Sequence, residues 1–177
     1  MEALALALVL LPGGRLELAG APPPFASPGP WPVGVRRITL TDRSREDAYL
    51  AGHRVLVTEV WYPAVDEVKG QEPVEFLDFF APHPEAGEAF VRHFKGEPAD
   101  ANARFRSVAV RDARPRTGRF PLLVFSHGNG GVRHQNLSQL EHLASHGYVV
   151  ASPDHPGNAG VTIIGEKVVQ IHSRTPS

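Results

Sequence analysis

A chain of 177 residues with 18 Lys+Arg against 19 Asp+Glu carries a formal net charge of −1, and 42% of it is hydrophobic. That balance suits one globular domain and excludes a bulk electrostatic binder of nucleic acid or anionic membrane. Zero Cys removes disulfides and thiolate chemistry together, while 17 Gly and 17 Pro predict many turns and few long helices.

Residues 3–11 (ALALALVLL) form an apolar run too short to cross a bilayer. The length matches a signal-peptide core, and Ala19, Gly20 and Ala21 offer a small-residue cleavage site, yet Glu2 stands where a positive start is expected. Cytoplasmic and secreted or periplasmic destinations both stay open; a short apolar helix or a frayed terminus is the plainer reading. Pro22, Pro23, Pro24, Pro28 and Pro30 then make an extended linker. The expected division is residues 1–30 as signal-like segment and linker, and residues 31–177 as the folded domain.

Residues 34–42 alternate wet and dry positions and predict a strand. Residues 54–62 (RVLVTEVWY), stopped by Pro63, predict a second, and the two could pair antiparallel across a long polar loop. Val74, Phe76, Leu77, Phe79 and Phe80 form an apolar cluster. Residues 84–95 predict a helix with Pro84 at its start, Glu85 and Glu88 early, and Arg92, His93 and Lys95 late. Its face of Phe90, Val91 and Phe94 is expected to pack inward, with a lid or lipid-facing flap as the other reading. Residues 104–119 hold six Arg and one acid, Asp112; a strand at 107–111 with a solvated loop explains them better than nucleic-acid contact, for which no module is present.

Residues 121–125 (PLLVF) predict a strand buried on both faces. Residues 126–131 (SHGNGG) form a glycine-rich turn, residues 136–146 a helix capped by Asn136 and stopped by Gly147, and residues 148–151 another buried strand. This is a βαβ unit with parallel strands, so residues 127–131 and 152–158 should share the rim at the carboxyl end of the sheet. The turn lacks the Gly-Lys-Ser/Thr of a P-loop and the third glycine of a dinucleotide fingerprint. It suits an oxyanion hole, because small residues let a carbonyl oxygen approach main-chain N–H donors.

The words GPWPVGV (29–35), VWYPA (60–64), FPLLVFSHG (120–128), LASHGYVVA (143–151) and PDHPGN (153–158) stand in a fixed order. In that order the chain resembles bacterial dienelactone-hydrolase-like and platelet-activating-factor-acetylhydrolase-like serine esterases. The resemblance implies an α/β class: the N-terminal part of an α/β-hydrolase fold, a mostly parallel sheet with an antiparallel N-terminal hairpin, incomplete. It implies hydrolysis of short-chain or lipid acyl esters, a small-molecule substrate and no cofactor. It maps an oxyanion N–H onto Asn129, with Gly128 and Gly130 shaping the turn. His127 is expected to buttress the loop, and His127, Asp154 and His155 are candidates for the substrate pocket. A zinc site at His127, His134, His155 and Asp154 matches no ligand spacing.

No Ser lies in the G-x-S-x-G elbow that carries the nucleophile in this fold. The nucleophile, acid and base are therefore expected after the last buried strand and outside these 177 residues. Ser126 with Asp154 and His155 is the weaker substitute within them. Residues 160–177 correspond to a variable segment. A non-catalytic binding module of hydrolase ancestry is the alternative to an esterase; the sequence leaves oligomeric state open.

Overall fold

The computed structural model describes residues 8–10, 16–18, 27–47, 52–94 and 96–171. The candidate cleavage site at Ala19, Gly20 and Ala21 and the prolines at 22–24 lie outside them. Where an apolar helix was the plainer expectation, β1 (Leu8–Leu10) pairs antiparallel with β2 (Leu16–Leu18).

Polar and apolar alternation gives β3 (Val33–Glu46) and β4 (His53–Pro63), which pair antiparallel from Val33 opposite Pro63 onward. After them come α1 (Pro84–His93), the single turn α2 (Ala101–Arg104), β5 (Val110–Arg111) and β6 (Leu122–Val124). The chain then forms α3 (Leu137–Ser145), β7 (Val149–Pro153), and a hairpin of β8 (Val161–Ile164) and β9 (Lys167–Gln170). The main sheet runs β5–β3–β4–β7–β6. β3 is parallel to β5, β7 is parallel to β6, and β4 opposes both β3 and β7, so four strands share one direction. Helix α3 crosses from β6 to β7 and packs on β3, β4 and β7. It buries Leu140 and Ala144 completely beside Trp61, Val35 and Val150. Phe76, Phe79 and Phe80, in a 3₁₀ segment (Phe76–Phe80), extend this core toward α1.

Four further expectations need correction. The strand at 121–125 is not buried on both faces: Leu122 is 63% and Val124 72% exposed, because β6 is the sheet's edge and no described element covers them. The strand expected over 107–111 shrinks to β5, because the N–H groups of Val108 and Ala109 donate to the Glu141 carboxylate instead of to a ladder. Residues 161–170, treated as a variable segment, form the β8–β9 hairpin around Gly165 at φ +60°. Asn136 precedes α3, but its side chain gives no cap; its Nδ2 donates to Gln139. No helix among the described residues is long and apolar enough to cross a membrane.

Candidate active site

Parallel pairing of β6 with β7 brings the segments after both strands to one end of the sheet. The turn at 128–131 is closed by the Gly131 N–H donating to the Gly128 carbonyl at 2.9 Å. Gly130 sits at φ +76°, the left-handed third position that defines a type II turn. Asn129 occupies the second position, where the turn itself makes no use of the N–H. Among the described residues no protein acceptor meets that N–H. The next amide is spent: Gly130 N–H donates to the Asn158 carbonyl at 2.9 Å. The Asn158 amide also donates to Asn129 Oδ1 at 2.7 Å, and Gly160 N–H to the Gly131 carbonyl at 2.8 Å. The turn is thus stitched to the 154–160 segment, while the N–H groups of Gly128 and Asn129 meet no acceptor among the described residues; Asn129 also lines a cavity. That cavity, of about 500 Å³, is lined by Asn129, Gly130, Gly160 and Val161 together with Phe90 and Phe94 of the α1 region. A side chain at Gly128 would meet nothing within 4 Å, so the approach to the turn is open.

His127, itself buried, holds the turn from beneath. Its Nδ1 lies 2.8 Å from the Gly128 carbonyl and its Nε2 accepts the His155 N–H at 3.1 Å. A carbonyl can only accept and a backbone N–H can only donate, so the proton sits on Nδ1. Both ring nitrogens are engaged with backbone, and the ring links the two rim segments. His155 Nε2 stands 2.9 Å from Ser126 Oγ. Burial first, then His127 and Arg54, lower His155 from the ordinary imidazole range, which favours its neutral form. Asp154 does not turn toward this pair. It is fully buried, and its two oxygens accept from the Arg133 backbone N–H and the Arg133 guanidinium.

Arg133 and Glu59 are the residues that sequence reasoning missed. Glu59 is the one acid of strand β4 and is fully buried. Arg37 at 2.8 Å, Arg111 at 2.7 Å and Arg133 at 3.5 Å surround it. A single acid inside RVLVTEVWY was the available signal, since a buried charge demands partners. Arg133 also donates to the Phe79 carbonyl. This cluster fixes the start of the α3 connection against the sheet and so fixes the turn before it.

Beyond Arg133, His134 is fully buried, stacked on Phe79 with ring centroids 4.8 Å apart and edge-on to Phe76 and Phe80. It stands in an aromatic cluster, separate from the rim. Helix α1 packs inward through Ala86, Gly87 and Val91, while Phe94 just past its end is 61% exposed.

A mostly parallel sheet, a crossover helix and a glycine turn with a free amide at the strand ends define an α/β-hydrolase frame. The family model for platelet-activating factor acetylhydrolase, isoform II, matches residues 29–170, and the chain belongs to that family. Among solved structures, a ferulic acid esterase from Streptomyces cinnamoneus superposes with a TM-score of 0.64 at 29% identity, covering 85% of this chain and 43% of that one. The chain therefore spans less than half the length of that esterase. No curated protein matches the sequence.

Proposed function

We propose that this chain supplies the oxyanion-stabilising portion of a serine carboxylic-ester hydrolase acting on short-chain or lipid acyl esters, including acetyl esters of the platelet-activating-factor type. Residues 31–177 are the N-terminal portion of the catalytic domain in this reading, and residues 1–30 the signal-like segment and linker. The observation that carries it is that Asn129, whose N–H meets no acceptor among the described residues, lines the 500 Å³ cavity. When an alkoxide attacks an ester carbonyl, charge moves onto the carbonyl oxygen. A donor already aimed there stabilises the transition state with no reorganisation. Gly128 and Gly130 keep the turn open, and His127 holds it in place. The nucleophile, acid and base come from further chain laid along the free edge of β6. A strand parallel to β6 would end beside Asn129, the place a nucleophile elbow requires.

The test separates the amide from the side chain. Proline suits the second position of a type II turn, so Asn129→Pro removes the N–H and keeps the turn. In the protein made from its native gene, Asn129→Pro is expected to lower kcat for p-nitrophenyl acetate about 10²–10³-fold. Asn129→Ala should stay within a few-fold of the parent. The 177 residues alone are expected to show no saturable turnover. Equal activity in both variants would remove Asn129 from the oxyanion hole, and saturable turnover by the 177 residues would show that the nucleophile is already among them.

A further inference from the structure

A second cavity, of about 550 Å³, adjoins the one at Asn129: the two share Phe90 and Phe94, and this one reaches Gly131 and Val132 beyond the turn. Its volume is inside the range of about 300–1,000 Å³ that small-molecule sites occupy. Aromatic rings supply much of the wall: Phe76, Phe90, Phe94 and Phe105. Phe76 and Phe105 lie 4.7 Å apart by ring centroid, and Phe90 and Phe94 5.0 Å apart. Such walls accept an apolar body and give no orientation to it.

Two further features of this wall are polar. Arg104 and Arg106 line the same cavity and are exposed. Among the described residues neither forms an ion pair, and Arg104 engages only the Phe105 face, at 5.8 Å. No acidic residue lines the cavity. His134 is the second feature. It is fully buried at the cavity wall, and neither ring nitrogen has a hydrogen-bond partner among the described residues. A ring buried at the wall with both nitrogens unpaired is sensitive to whatever fills the cavity.

We propose that this cavity is a binding site for an apolar monocarboxylate, its body between the phenylalanine rings and its carboxylate on Arg104 and Arg106. An unpaired guanidinium at the mouth of an apolar chamber recognises a carboxylate by charge and by its fork of N–H donors. A neutral tail gains only the burial, and a cation meets repulsion. The site shares Phe90 and Phe94 with the Asn129 cavity but takes its charge from Arg104 and Arg106, and it does not depend on the esterase reading.

Decanoate is the probe, titrated into the 177-residue protein by calorimetry beside decanol and decyltrimethylammonium, which share its tail. Decanoate is expected to bind saturably and more tightly than either. Arg104→Gln combined with Arg106→Gln should weaken decanoate about tenfold or more and leave decanol unchanged. Phe105→Ala should weaken both. Decanoate should also move the ¹⁵N resonances of the His134 ring, which borders this cavity and not the one at Asn129. Equal binding of decanoate and decanol, tighter binding of the cation, indifference to the double arginine variant, or a silent His134 ring would each overturn the assignment.

Discussion

His134 links the stability of the molecule to pH. Burial first, then the charges of Arg133, Arg37 and Arg111, hold its imidazole well below the usual 6.5. The unfolded chain therefore takes up a proton near its ordinary value that the folded protein refuses. The sign follows: this stability is present above the unfolded value and is lost as pH falls below about 6.5, by up to ~1.4 kcal/mol per pH unit. His134→Phe suits the surrounding rings and is expected to flatten that loss, read as urea midpoints between about pH 5 and 7; an unchanged slope would show that another group governs it. Little of this was legible. HGNGG announced the turn, because glycine and its position after a strand carry that information. Arg133 and His134 follow directly in the sequence and look like a solvated loop. Only the neighbours contributed by β4 and by the 3₁₀ segment at Phe76–Phe80 turn them into buried groups.

At the scale of elements, α1 is decided by Gly87. A Cβ there would stand 2.5 Å from the Phe80 ring, which is itself 1% exposed. Alanine gains up to about 1 kcal/mol of helix propensity, but overpacking of a tight contact costs about 1–3 kcal/mol. Gly87→Ala is therefore expected to lower the unfolding free energy by ~1–2 kcal/mol in a denaturant melt; a stabilised variant would show that Phe80 moves freely. β6 makes the opposite case. Its edge is open and Val124 is 72% exposed, so the strand offers a template for another. Val124→Lys is expected to raise the solubility limit of the 177 residues while shifting Tm by no more than about 2 °C, since a surface change away from other contacts costs little. A collapse of Tm would mean that the strand is buried in solution. The strands β3, β4 and β7 and the helices α1 and α3 were legible through alternation, helical spacing, Pro84 and Gly147. The exposure of β6 was not, because an apolar run states a need for cover and does not say which segment provides it. The β8–β9 hairpin had a readable pattern, VTII and KVVQ about Gly165 and Glu166, which the family resemblance obscured.

For the whole molecule, the folded unit begins before β3. Gly29 N–H donates to Ser145 Oγ at 2.9 Å and Trp31 N–H to the Ser145 carbonyl at 3.3 Å, tying this strap to the end of α3. Trp31 also packs edge-on to Phe120 at 6.0 Å. A protein lacking residues 1–26 is expected to keep its Tm within about 2 °C, whereas loss of residues 1–31 should lower it by roughly 4 °C or more; equal melting of the two would show that the strap is dispensable. The rim has a chemical consequence of its own. Asn followed by Gly is the pairing most prone to spontaneous succinimide formation, in which the glycine nitrogen attacks the asparagine side chain. At residues 129 and 130 both reacting groups are held by Asn158, which binds the attacking N–H through its carbonyl and the Asn129 oxygen through its amide. The same asparagine that stitches the turn therefore slows its ageing toward isoaspartate, whose extra backbone carbon would carry the neighbouring amide out of place.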